Sequence, residues 1–163
     1  MKLVDMKYVQ WENTPREWKI EGIKLGPLNL LVGNNASGKS RTLNVINGLA
    51  KLLAGDSKVN VLSGDWNITF ENEGKSLEYD LQVADLKVVK EEFRINGTEL
   101  LKRGTGGIGK LRAEQLKTLI DFQVPEDQLA AVARLDSIQH PFFEPLHAWG
   151  KSLYHYLFGT PLG

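Results

Sequence analysis

The sequence predicts an α/β fold, in which a mixed or antiparallel sheet surrounds one helix and a helical C-terminal part follows. Residues 27–32 form a short apolar run between proline and glycine, which is typical of a buried strand. Residues 39–53 carry apolar side chains at spacings of three and four, which indicates a helix with one buried face. We expect a single domain over residues 1–163, with the sheet and this helix in 1–103 and a mostly helical extension in 104–163.

The composition is that of an ordinary globular protein. Hydrophobic residues make up 42% and charged residues 25% of the chain. Twenty basic residues balance twenty acidic ones, so net charge indicates neither a membrane nor a nucleic-acid partner, and DNA stays an open alternative. The absence of cysteine excludes disulfides and thiolate metal sites. No stretch resembles a secretory signal or reaches the roughly 18 apolar residues of a membrane span, so we expect a cytoplasmic protein.

Alternating patterns predict the strands. Loose alternation indicates extended segments over residues 2–11 and 18–23. A hairpin is expected around residues 72–74, because the segments on both sides alternate between apolar and polar residues. A second hairpin is clearer, since Asn96-Gly97 tolerates the positive φ angles that a tight turn requires.

Three helices are expected after residue 104. Leucines and an isoleucine between Leu111 and Ile120 suggest the first, and proline at Pro125 and Pro141 suits the start of the second and third. Residues 153–158 are apolar and fit either a strand or a helix end.

The strongest chemical signal is a glycine-rich loop between the predicted buried strand and the first helix. Residues 33–40, GNNASGKS, fit the pattern G-x-x-x-x-G-K-[ST], which cradles the phosphates of a nucleoside triphosphate. Glycines let the backbone curl so that N–H groups point inward, and the start of the helix adds the positive end of its dipole. The predicted binding residues are Gly33, Asn34, Asn35, Ala36, Ser37, Gly38, Lys39, Ser40 and Arg41.

Individual roles follow from the chemistry of the side chains. We expect Lys39 to reach the β- and γ-phosphates as a point charge. The Ser40 hydroxyl is expected to bind Mg²⁺, which bridges the same phosphates. Asn34, Asn35, Ala36 and Ser37 are expected to contribute mainly backbone N–H groups. The expected ligands are therefore ATP and Mg²⁺, although the loop alone does not separate ATP from GTP.

A second glycine-rich stretch, residues 104–110, partly fits the same pattern. Leu111 stands where the metal-binding hydroxyl is required, and Lys102-Arg103 precedes the stretch instead of a buried strand. We interpret it as a flexible connection, and a role as a lid over the phosphates is a hypothesis.

Hydrolysis needs further groups that the sequence does not show. A phosphate-loop enzyme holds Mg²⁺ with an acid at the end of a second buried strand. No four-residue apolar run is followed by aspartate, since Asp121 follows a short helical pattern and the run before Asp136 is broken by Arg134. Catalytic residues are therefore unassigned.

Residues 28–40, LNLLVGNNASGKS, closely resemble the N-terminal phosphate loop of ABC-class ATPases of the RecF, SMC and OLD kind, which include predicted prokaryotic ATPases of the AAA family. Residues 35–40 match their N-[GA]-x-G-K-[ST] variant, and Leu43 falls where their helix begins its apolar face. The antiparallel hairpins after the helix look like the first lobe of such a head. Residues 140–159 resemble the segment that leads toward the inserted helical region of the prokaryotic members.

This resemblance implies a partial P-loop NTPase head of the ABC type, with the sheet around the Walker A helix. Heads of this family dimerise around two ATP molecules, so a homodimer through the ATP-binding face is implied for a full-length protein. The signature motif, the acidic strand and the switch histidine of the family are absent here, which implies an N-terminal portion or a truncated relative with little or no turnover of its own. The family's Mg²⁺-contacting glutamine corresponds to one of Gln82, Gln123, Gln128 or Gln139.

The sequence is also compatible with two alternative functions. One is a complete small phosphoryl-transfer enzyme or GTPase, although neither Asn-Lys-x-Asp nor Asp-x-x-Gly occurs. The other is a protein-interaction module in which the loop is vestigial and the antiparallel sheet binds a partner.

Overall fold

The chain folds around one eight-stranded sheet. The computed structural model describes residues 1–156. The strands are β1 (Lys2–Gln10), β2 (Trp18–Lys24), β3 (Ser63–Asn72), β4 (Lys75–Ala84), β5 (Lys87–Ile95), β6 (Thr98–Arg103), β7 (Ile108–Ala113) and β8 (Thr118–Gln123). The helices are α1 (Lys39–Leu53), the single turn α2 (Ala130–Ala133) and α3 (Glu144–Ser152), which follows a 3₁₀ turn at Pro141–Phe143.

All neighbouring strands of the sheet are antiparallel, in the order β2-β1-β3-β4-β5-β6-β7-β8. From β3 to β8 the chain runs as a meander of consecutive hairpins. The hairpin predicted at Asn96-Gly97 is confirmed, with φ angles of 48° and 76° in the turn between β5 and β6. The predicted turn before β4 is also confirmed, because Glu73 and Gly74 adopt φ angles of 51° and 75°.

The helix predicted over residues 39–53 is confirmed as α1 with the same bounds. Its C-terminal half packs against the buried face of the sheet, together with α3. Gly150 permits the close approach of the two helices, since a Cβ atom there would lie 2.6 Å from the carbonyl oxygen of Ala50. The core contains the inward-facing side chains of the central strands, among them Trp66, Phe70 and Tyr79.

The expected α/β fold of a partial ABC-type head is wrong. The sheet is antiparallel throughout, and residues 25–38 contain no strand. An apolar run becomes a buried strand only where neighbouring strands supply hydrogen bonds and apolar cover. Residues 27–32 leave the sheet after its edge strand β2, so no such neighbours are present among the described residues.

The expected helical C-terminal part is also wrong, because residues 108–123 form the hairpin of β7 and β8. Leu111 lies opposite Ile120 across this hairpin, and Lys117 takes a φ angle of 52° in its turn. The helix prediction failed because the apolar residues of these two short strands are spaced along the sequence as they would be on one face of a helix. The helix expected from Pro125 is reduced to the single turn α2, and the helix expected from Pro141 is confirmed as the 3₁₀ turn and α3. Of the apolar piece at 153–158, residues 153–156 are neither strand nor helix, and 157–158 lie outside the described residues.

A buried ion pair joins the sheet to the segment around α2. Glu91 on β5 and Arg103 on β6 are fully buried, and Arg103 Nη1 lies 3.2 Å from Glu91 Oε2. The Glu91 carboxylate also accepts hydrogen bonds from the Tyr79 hydroxyl and from the backbone N–H groups of Ala130 and Ala131. Burial, and then the charge of Glu91, raise the pKa of Tyr79 well above its usual value, so this hydroxyl remains a donor.

Replacement of Glu91 by glutamine is expected to destabilise the protein by about 3 kcal/mol or more, because the buried Arg103 guanidinium loses its counter-charge. Chemical denaturation monitored by circular dichroism measures this loss. The exposed pair of Lys110 and Asp121, 3.4 Å apart, provides the control, and Asp121→Asn is expected to cost less than about 1 kcal/mol. Equal losses for the two variants would contradict a structural role for the buried pair.

Candidate functional site

The glycine-rich loop wraps around the ammonium group of Lys39. Lys39 Nζ donates hydrogen bonds to the carbonyl oxygens of Gly33 and Asn34, each at 2.7 Å, and lies 3.3 Å from Ser37 Oγ. Gly33 approaches Ser37 so closely that a Cβ atom would lie 2.8 Å from that hydroxyl oxygen. The two carbonyl groups therefore hold the positively charged Lys39 ammonium against the loop.

The first turn of α1 leaves backbone donors free at this loop. Thr42 N–H donates to the carbonyl oxygen of Gly38, which is the first bond of the helix. The N–H groups of residues 38–41 have no acceptor within residues 1–156. The first turn contains no acidic residue, and Gly38 provides no capping side chain. Free N–H groups, the helix dipole and the charge of Lys39 together attract an anion.

A surface cavity of about 460 Å³ lies over these donors. This volume is within the range of ordinary small-ligand pockets. It is lined by Trp18, Asn35, Ala36, Ser37, Gly38, Lys39, Ser40 and Arg41. Seven of the nine residues predicted from the sequence thus line one cavity, and the other two, Gly33 and Asn34, hold Lys39 through their carbonyl groups.

Two residues at the site had no sequence signal of function, Trp18 on β2 and Gln10 on β1. The Arg41 guanidinium lies over the Trp18 ring, 4.3 Å from its centroid, and Arg41 Nη2 donates to Gln10 Oε1 at 2.7 Å. Burial raises the pKa of neighbouring Tyr8 to about 12, and the charge of Arg41 opposes that shift. Only the pairing of β1 with β2 brings these side chains to the loop, so motif spacing could not have found them.

Few side chains near the loop are positioned to bind a metal ion. The Ser40 side chain is exposed, and within residues 1–156 its hydroxyl makes no hydrogen bond, so it fits the predicted role toward Mg²⁺. Over the same residues no cluster of three acidic or histidine side chains is arranged to hold a metal. Of the four glutamines suggested by the resemblance, Gln82, Gln123, Gln128 and Gln139, none lines the loop cavity.

The second glycine-rich stretch is a structural turn between β6 and β7. Gly107 has a φ angle of 71°, and a Cβ atom there would lie 1.9 Å from the carbonyl oxygen of Val124. Gly106 N–H donates to Glu126 Oε1 at 2.9 Å, and its carbonyl accepts from Gln123. The interpretation as a connection is confirmed, but the turn is held by these contacts. It lies five strands away from β1 and lines no part of the loop cavity, so the lid hypothesis gains no support.

The segment that leads into the loop is exposed. Leu28, Leu30 and Val32 are 93%, 85% and 79% exposed. Asn29 bonds both the N–H and the carbonyl of Gly26 through its side-chain amide, whereas the backbone of residues 28–32 makes no backbone hydrogen bond in the described part of the chain. Apolar side chains and unpaired backbone groups thus occur together next to the candidate site.

Comparisons of the chain with family models, with curated proteins and with solved structures found no match. Across residues 1–156, none of the helices combines the length and the apolar character that a bilayer crossing requires.

Ala36 carries local backbone strain that can be tested. Its φ angle of 64° lies in the left-handed region, which costs an alanine about 1–2 kcal/mol. We expect Ala36→Gly to leave stability unchanged or to raise it by up to about 1 kcal/mol, because the relieved strain exceeds the added chain entropy. In the control, Ala148→Gly in the exposed face of α3, stability is expected to fall by about 1 kcal/mol. Thermal unfolding measures the stability of both variants. A similar loss of stability at the two positions would contradict backbone strain at Ala36.

Proposed function

We propose that this protein binds a nucleoside triphosphate, ATP with Mg²⁺, through the loop of residues 33–40. The observation that carries the proposal is that residues 38–41, whose N–H groups have no acceptor within residues 1–156, line the same open cavity as the positively charged Lys39 side chain. Anions bind at such helix starts because partial positive charges converge there without a competing carboxylate.

Lys39, Ser40 and the free backbone N–H groups have separate roles in this proposal. Two of the three Lys39 N–H groups donate to loop carbonyls, and the third, which faces Ser37 at a long 3.3 Å, is available to a phosphate oxygen. Ser40 offers its hydroxyl to Mg²⁺, while the free N–H groups bind phosphate oxygens. We propose binding without rapid hydrolysis, since none of the acidic side chains in the described part of the chain lines the cavity to hold the metal or orient water.

Loss of the lysine charge tests this function. Lys39→Ala is expected to weaken Mg-ATP binding by roughly tenfold to a hundredfold, because a hydrogen bond to a charged group contributes about 1.5–3 kcal/mol. Isothermal titration calorimetry measures the dissociation constant, and Trp18 beside the loop provides an independent fluorescence signal.

The matched control is Lys51→Ala, which removes an exposed lysine from the last turn of the same helix. Its affinity for Mg-ATP should equal that of the unaltered chain. If both variants bind alike, or if the unaltered chain shows no affinity, the loop does not bind nucleotide. Phosphate release well above background would contradict the proposal that binding occurs without rapid hydrolysis.

A second candidate function is self-association through residues 28–32. Their exposed apolar side chains and unpaired backbone are the features by which strands add to another sheet or to each other. No charged residue occurs between Lys24 and Lys39, so two copies could align here without like-charge repulsion. This arrangement would form a homodimer next to the nucleotide loop.

Charge introduced into this segment should separate the copies. We expect the unaltered chain to show a concentration-dependent dimer by sedimentation velocity, and the double variant Leu28→Lys, Leu30→Lys to remain monomeric. Leu116→Lys, at an exposed leucine in the turn before β8, should leave the dimer intact. A chain that stays monomeric at the highest concentration tested would exclude self-association by this segment.

A further inference from the structure

A second cavity lies beside the nucleotide loop, between α1 and the adjoining strands β1 and β3. Its volume is about 170 Å³. Part of its wall is apolar and aromatic, from Tyr8, Val45 and Trp66, and side-chain amides of Gln10, Asn44 and Asn60 supply polar groups. We call it the α1 groove. An apolar cavity of about 150 Å³ holds a benzene ring, so this space suits a small planar heterocycle.

A glycine in the middle of α1 keeps the groove open. Gly48 lines the groove, and no atom lies within 4 Å of the position that its Cβ would occupy. Glycine weakens a helix interior relative to alanine, so its presence there usually reflects a packing or functional requirement. Gly150 has such a packing requirement, because the backbone of α1 would clash with a side chain there. Gly48 has none, and the space in front of it is available to a ligand.

The α1 groove adjoins the cavity over the loop at Arg41. This residue lines both spaces and is held in place by Trp18 and Gln10. Along the helix axis, Gly48 lies about 13 Å from Lys39, given a rise of about 1.5 Å per residue. An extended nucleoside triphosphate covers a comparable distance between its terminal phosphate and its base.

We propose that the α1 groove binds the base of the nucleotide whose phosphates occupy the loop, an inference that rests on the function proposed above. A nucleobase has flat faces that pack against aromatic and aliphatic side chains, and a polar edge that pairs with amides. Trp66 and Tyr8 supply aromatic rings to this wall, and Val45 supplies an aliphatic side chain. The amides of Asn44 and Asn60 can donate to ring nitrogens or accept from an amino group.

A comparison of two probes separates base binding from phosphate binding. Inorganic triphosphate with Mg²⁺ occupies only the loop, whereas Mg-ATP occupies the loop and the groove. The unaltered chain is expected to bind Mg-ATP at least tenfold more tightly than Mg-triphosphate. No atom lies within 4 Å of the position of a Cβ at Gly48, so Gly48→Leu is expected to fill the groove. Its affinity for Mg-ATP should then fall to that for Mg-triphosphate, while its affinity for Mg-triphosphate stays the same.

Two further variants control this experiment. Lys51→Leu adds the same side chain to the same helix at an exposed position, and it should keep the tenfold preference for Mg-ATP. Asn44→Leu retains bulk but removes an amide, and it should lose most of the preference. The melting temperature of each variant confirms that the fold is retained.

The possible failures are distinguishable. The proposed base site would be wrong if the unaltered chain bound both probes with equal affinity, or if Gly48→Leu kept its full affinity for Mg-ATP. Neither result would contradict phosphate binding by the loop. Failure of both probes to bind would overturn the proposed function and the base site together.

Discussion

The packing of the C-terminal half of α1 against the sheet is the contact on which the site depends. Leu49, Leu52 and Leu53 are buried there, and α3 covers the same half of the helix. Burial of such side chains contributes roughly 1.5–3 kcal/mol each relative to exposure. The N-terminal half contains no fully buried residue. Because a helix is rigid over this length, anchoring one end places the free N–H groups of the other beside β1 and β2.

The two main charged arrangements of the molecule differ in a way that indicates their roles. The buried pair of Glu91 and Arg103 receives its partners from the chain itself, including the N–H groups at α2 and the carbonyls of Pro125 and Gln128. Among the side-chain polar atoms of this pair, Arg103 Nε is the one without a hydrogen-bond partner within residues 1–156. Lys39, by contrast, is positioned by its loop next to N–H groups without acceptors. The first arrangement stabilises the fold, and the second leaves positive charge available at the surface.

Local sequence patterns predicted those parts of the fold that depend on neighbouring residues. The spacing of apolar residues predicted α1, and Asn96-Gly97 predicted its hairpin, because helix faces and tight turns are determined over a few residues. The same reasoning failed at residues 27–32, where an apolar run suggests a strand but the described chain offers no strands to pair with it. It failed again between Leu111 and Ile120, where the residues of two strands and a turn imitate a helical face.

By itself, the sequence determined the loop, the helix that follows it and the lysine between them, since glycine conformation and helix periodicity are local properties. Seven of the predicted site residues accordingly line one cavity. Only the tertiary structure decided that Trp18, Gln10 and the α1 groove adjoin that loop, and that the sheet is antiparallel. Those features arise from strand pairing between residues far apart in the chain, and such pairing depends on hydrogen bonds and packing that no short window of sequence contains.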